Sequence, residues 1–149
     1  MKRTIVICCL LLTANFGTAV AQRIKYRAYD PLFNELLSVQ VLSNHNPGFG
    51  GNNQFYRLSK NFLAIDRPAD FTLMLYDRRP VVRAMGLLCL AQVDRDKYWL
   101  TLLSYLKDNE KVYLSEGCVV SQITIGEFAQ QLLRNPDFLE ANGKRPVQQ

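Results

Sequence analysis

The twelve residues from Pro80 to Ala91, PVVRAMGLLCLA, constrain the fold more than any other stretch of the chain. They follow the polar turn Tyr76-Asp77-Arg78-Arg79, and Arg83 is their one charge. Proline suits the first helical position, where its missing N–H has no intrahelical partner to lose. Val82, Met85, Gly86, Cys89, Leu90 and Val93 form one helical stripe, and Val81, Ala84, Leu88 and Ala91 a second. A helix that is apolar on two sides has to be covered on both. Ala84 and Gly86 thin its surface, so another helix can approach closely. A mid-helix glycine costs about 1 kcal/mol relative to alanine, which close packing offsets. The pattern predicts an inner helix wedged between neighbours.

Other apolar periodicities predict more helices. Asp30-Pro31 reads as an N-cap followed by proline, and Leu32, Phe33, Leu36, Leu37 and Val41 carry a first helix to about Leu42. Phe55, Leu58, Phe62 and Ile65 define a second. Asp66-Arg67-Pro68 stops it and starts a third, with Phe71, Leu73, Met74 and Leu75. Asp94 caps a fifth over Arg95 to Lys107, on which Tyr98, Trp99, Leu102, Leu103 and Leu106 are expected to face inward. Asp108 to Gly117 reads as a polar turn holding a short β-prone or helical piece. Thr124 and Glu127 form a capping box ahead of Ile125, Phe128, Ala129, Leu132 and Leu133. A short strand over Cys118 to Ile125 competes at its start, where β-branched residues cluster. No segment alternates strictly for long enough to be a secure strand. The expected class is all-α, either a short α-solenoid fragment or an irregular helical bundle.

The stretch from Asp77 to Ala91 resembles the second-helix pattern of HEAT repeats. Asp77 and Pro80 supply the turn, Val82-Arg83 the Val-Arg pair, and Gly86 and Cys89 the small positions before a leucine. The resemblance covers roughly Pro68 to Arg134. Thirty residues on, Val112-Tyr113 stands where Val82-Arg83 did, and the register is then lost at Glu116, opposite Gly86. The resemblance implies a HEAT-like scaffold for protein contacts and no reaction.

The first residues read as a secretory signal peptide over 1–21. Lys2 and Arg3 are its basic end, Ile5 to Leu12 its apolar run, and Ala19-Val20-Ala21 its cleavage site. The apolar run is too short to cross roughly 30 Å of hydrocarbon. The expected location is therefore outside the cytoplasm, in a periplasm or beyond the cell, with no integral membrane segment after cleavage. A basic and aromatic leader follows at 22–29. A single helical domain is expected at 30–140, with a long Asn/Gly loop at 43–53, and a polar tail at 141–149. Removing Lys2 and Arg3 leaves sixteen basic and thirteen acidic residues, a net charge of +3. That is too mild to imply a nucleic-acid partner. Cys89 and Cys118 stay in the mature chain. In an oxidising compartment they are candidates for one disulfide, or else two separate buried thiols.

Chemistry-bearing patterns are sparse. His45 is the one histidine, between Asn44 and Asn46 in the Asn/Gly loop. A Ser–His–Asp or Cys–His site would have to use it. A zinc site needs three or four Cys, His or carboxylate ligands, and no such set is apparent. Asp94/Asp96 and Asp108/Glu110 are explained by helix ends. Gly48-Phe49-Gly50-Gly51 has neither the Lys-Ser/Thr nor the preceding strand of a phosphate loop. Arg83 is expected to bond backbone carbonyls or a carboxylate of the neighbouring turn. The expected function is a non-catalytic domain, without a cofactor, that binds another protein in the cell envelope or outside the cell. His45, Phe49, Arg78 and Arg79 are its candidate contacts. One rival is a secreted inhibitor or immunity protein that blocks an enzyme's cleft with the loop. The other is a cell-envelope hydrolase built on His45.

Overall fold

The computed structural model describes residues 31–45 and 53–140. The segments read above as a signal peptide and leader, Asp30, most of the Asn/Gly loop including Phe49, and the tail at 141–149 lie outside them. The chain divides into two compact units, Met1–Glu35 and Leu36–Gln149. Of the first, only residues 31–35 are described, and they belong to helix α1, Pro31–Leu37. The second unit carries everything that follows.

Its elements run β1 (Val41–Ser43), α2 (Gln54–Ile65), α3 (Pro68–Met74), α4 (Pro80–Asp94), α5 (Trp99–Ser104), β2 (Lys111–Glu116), β3 (Val119–Thr124) and α6 (Ile125–Arg134). The all-α expectation, whether solenoid fragment or bundle, is overturned by the three strands. They form one mixed sheet in the order β1-β2-β3, with β1 parallel and β3 antiparallel to β2. The fold is α/β. Where a second helical repeat was expected after α5, the chain turns back as a hairpin.

The reason is visible in the pairing. Leu42 sits opposite Leu114, and both are buried, as is Val112 two residues before Leu114. Val112 and Leu114 share one face of β2 because side chains alternate along a strand. That face needs only two apolar residues when a partner strand brings a third. The first helix also stops earlier than its periodicity suggests. The Val39 N–H donates to the Leu36 carbonyl at 3.1 Å, and the chain after it extends into β1. Leu42 is then buried as a strand residue rather than as the last turn of a helix.

Helix α4 is the centre of this unit. Every residue from Val82 to Ala91 is buried, Arg83 included. It packs against α2, α3, α5, α6 and β2. Gly86 lets α3 come close: a methyl group there would lie 2.8 Å from the Phe71 carbonyl oxygen and 3.0 Å from the Met74 Cβ. Full burial of each leucine in α4 stabilises the fold by about 1.5–3 kcal/mol, so this helix dominates the core. At the other end of the chain, the capping box forms as the sequence indicates. The Glu127 N–H donates to the Thr124 hydroxyl at 3.1 Å, and the Thr124 N–H to the Glu127 carboxylate at 2.7 Å. Strand and helix readings of this region are both realised, with Thr124 as the junction.

Candidate functional site

Two surroundings in the second unit concentrate polar or exposed groups, and they differ in kind. The first is the turn between α3 and α4. Asp77 accepts from the Arg79 N–H at 2.9 Å, just ahead of α4, and grips the Arg79 guanidinium at 2.9 and 2.8 Å. That pairing holds the Arg79 guanidinium above its usual range, although partial burial opposes it. Arg83 donates its Nε to Asp108 at 2.9 Å, a second nitrogen to the same carboxylate at 3.3 Å, and a third to the Asp77 carbonyl at 2.9 Å. Asp108 also accepts from the Glu110 N–H at 3.0 Å, and its carbonyl accepts from Gly126 at 2.9 Å. The Tyr105 hydroxyl donates to the Leu75 carbonyl at 2.7 Å; burial, foremost, raises its pKa.

These bonds tie four segments together: the α3–α4 turn, α4 itself, the loop after α5 and the start of α6. Arg83 satisfies three acceptors with a planar fork, which is what guanidinium geometry suits. The arrangement fastens the fold. Its donors are directed at acceptors within the protein.

The second surrounding is the β2–β3 hairpin. Its two-residue turn is Gly117-Cys118, with Gly117 at φ +63°. Glycine at the first central position is what a type II′ hairpin turn requires. Beyond the turn, Val119, Val120, Ser121 and Gln122 are all exposed, on both faces of the strand. Val119 is 66% and Val120 58% exposed. Among the described residues β3 pairs only with β2, so one backbone edge faces outward. The strand has six residues, VVSQIT, without charge or proline. Edge strands are usually blunted by lysine, proline or a bulge, and β3 has none of these.

The candidate residues read from the sequence are dispersed. His45 is exposed; its N–H donates to the Leu139 carbonyl at 2.9 Å, and its ring meets that of Tyr56 edge-on at 5.1 Å between centroids. Phe49 is outside the described residues. Arg78 is exposed, whereas Arg79 is folded back on Asp77. Cys89 and Cys118, considered either as a bridged pair or as two separate buried thiols, are both free. Cys89 lies in mid-α4, where burial pushes its thiol pKa up, and Cys118 is exposed at the hairpin turn.

The candidate contacts read from the sequence leave out β3, which falls within the short strand weighed over Cys118 to Ile125, and the outer side of α5. For β3 a signal existed, since Gly-Cys between two short β-prone runs is a hairpin cue. For α5 the periodicity was legible but its direction was not. Leu102 faces the core, while Trp99, Leu103 and Leu106 turn outward, and Leu100 is 78% exposed. Among the described residues no group of three or more His, Cys, Asp or Glu side chains is placed to hold a metal ion. No helix among them is long and apolar enough to cross a membrane. No protein-family model, curated protein or solved structure matches this chain.

Proposed function

We propose that this protein is an exported, non-catalytic domain that binds another protein by taking an extended segment of its partner onto β3. The observation that carries this reading is the outer edge of β3: six uncharged residues with one backbone edge unpaired by any described strand. Added strands gain affinity from main-chain hydrogen bonds and specificity from alternate side chains. Val120 and Gln122 would meet the partner on one face, and Val119 and Ser121 on the other, because partner pairing alternates along β3. Export is supported by the basic residues Lys2 and Arg3, the apolar run Ile5 to Leu12 and the Ala19-Val20-Ala21 site. The hydrolase reading has less support: among the described residues the contacts of exposed His45 are the Tyr56 ring and the Leu139 carbonyl.

The test is selection of ligands from a random peptide library against the purified protein, followed by mapping of the bound peptides through backbone amide shifts. Shifts concentrated on Val119 to Thr124, unchanged in His45→Ala, are the expected result. Peptides that instead shift the surroundings of His45 and are lost in His45→Ala would overturn the reading. So would a library that yields no binder.

A further inference from the structure

We propose, on the footing of strand addition at β3, that its free edge selects a basic segment and bonds it over two residues. Opposite residues in an antiparallel pair alternate between exchanging two hydrogen bonds and exchanging none. One step beyond the paired strands, the Ile125 N–H donates to the Glu110 carbonyl at 2.9 Å. The Thr124 N–H, opposite Lys111, donates instead to the Glu127 carboxylate at 2.7 Å. Counting in twos from Ile125, Ile123, Ser121 and Val119 aim their backbone groups at β2, while Gln122 and Val120 aim theirs outward. Thr124 closes the edge. As the N-cap of α6 its carbonyl belongs to the first helical turn, and its N–H is taken by Glu127. A partner strand therefore finds one N–H and one carbonyl on Val120 and the same on Gln122. Where the next donor would have stood, it meets the Glu127 carboxylate.

Charge complementarity sets the kind of segment that fits. Glu127 is exposed and spends only its Oε2, on the Thr124 N–H and hydroxyl; its Oε1 accepts nothing from the described residues. A carboxylate has about four acceptor sites, so a charged donor can be added without breaking the cap. From Glu110 to Glu127 the acidic residues are Glu110, Glu116 and Glu127, all exposed, and the one basic residue is Lys111. None of these carboxylates is paired with a basic side chain among the described residues. Lys111 stands on β2, a further strand spacing of about 4.8 Å from an added segment, whereas Glu127 lies on the open side. The N-terminus of α6 offsets about half an elementary charge, which leaves the hairpin acidic. The chain as a whole carries a formal net charge of +5, so this edge has the opposite sign to its protein. Lysine or arginine at the end of an added segment would meet Glu127, and an acidic residue there would be repelled.

The experiment uses the random peptide library as its probe, on the parent protein and on Glu127→Gln. Glutamine also serves in a capping box, so this variant keeps the start of α6 and loses only the charge. Peptides selected on the parent should be rich in lysine and arginine and poor in aspartate and glutamate. Their binding should slow hydrogen exchange at the Val120 and Gln122 amides and leave Ser121 and Thr124 as they were. Glutamine in place of the basic residue at the peptide's end should weaken binding to the parent about fivefold, the upper end for an ion pair open to solvent. The same replacement should leave binding to Glu127→Gln unchanged. On the parent alone, glutamate at that place should weaken binding more than glutamine does. Edge-bound peptides without a basic bias, or an equal loss on both proteins, would overturn the basic selection and leave strand addition standing. Bound peptides that slow no amide of β3, or no binder at all, would overturn both.

Discussion

Helix α4 and strand β3 are both nearly free of charge, yet one is buried on all sides and the other is exposed on both faces. Composition does not separate them. What separates them is how many neighbours the fold delivers. Five elements close around α4, whereas β3 lies at the margin of its sheet and, among the described residues, packs chiefly on β2 and α6. Their glycines differ in the same sense. Gly86 supplies space for the backbone of α3, while Gly117 supplies a positive φ in open surroundings. An apolar run is therefore a request for cover, and the fold grants it at α4 and withholds it at β3 and on the outer side of α5.

The sharpest way to break this comparison is to remove the buried charge of α4. Arg83 and Asp108 are mostly buried, with side chains 10% and 17% exposed. Arg83→Ala removes the fork from the Asp108 carboxylate and the Arg83 N–H from the Asp77 carbonyl. Breaking such a pair by removing one partner costs about 3–5 kcal/mol. Urea unfolding should show a loss of that size. A loss below about 1 kcal/mol would mean that the buried centre stands without the network, and that packing alone distinguishes α4 from β3.

A smaller effect tests whether close approach is what the glycines serve. A methyl group on Gly126 would lie 2.4 Å from the Leu106 carbonyl oxygen and 2.9 Å from its carbon, both rigid backbone. Overpacking of this kind costs about 1–3 kcal/mol. Gly126→Ala should fall in that range by thermal unfolding. Gly86→Ala should cost less, because its contact is looser and because alanine regains about 1 kcal/mol of helix propensity in mid-helix. A reversal of the order would show that α3 cannot yield to α4, and that the α6 junction can.

How far the sequence discloses this molecule follows from the same contrast. The α4 helix, the Asp66-Arg67-Pro68 break and the Thr124–Glu127 box are legible because local residues determine them. The sheet is not, because its first strand is three residues long and its inner face depends on Leu42 meeting Leu114 across some seventy residues of intervening chain. Periodicity is blind to such a pairing. On α5 the spacing of Trp99, Leu103 and Leu106 marks one stripe, but a stripe does not say whether protein or solvent lies opposite. At the candidate site the outcome is similar. Arg83 makes the carbonyl and carboxylate bonds that its place beside a polar turn suggests, whereas the edge of β3 exists only once the hairpin has formed.

The smallest expected effect on stability bears most directly on function. Val120 is 58% exposed and lies opposite Ser115 in the register of the hairpin. Replacing an exposed edge residue far from the core changes stability by no more than about 0.5 kcal/mol. Val120→Lys should therefore unfold with the parent protein in urea. Lysine on an edge strand nevertheless opposes the addition of another strand, since its ammonium loses water when a second chain closes over it. Peptides selected on the parent protein should accordingly bind Val120→Lys much more weakly, although nothing in its folded core has changed. If they bind equally well, the unpaired edge is not what recognises them, and β3 differs from α4 only in exposure and not in role. If the variant instead unfolds early, Val120 contributes to the core after all and the contrast between the two regions narrows. Weaker binding at unchanged stability is the outcome that keeps packing in α4 and recognition in β3 as separate properties of the same chain.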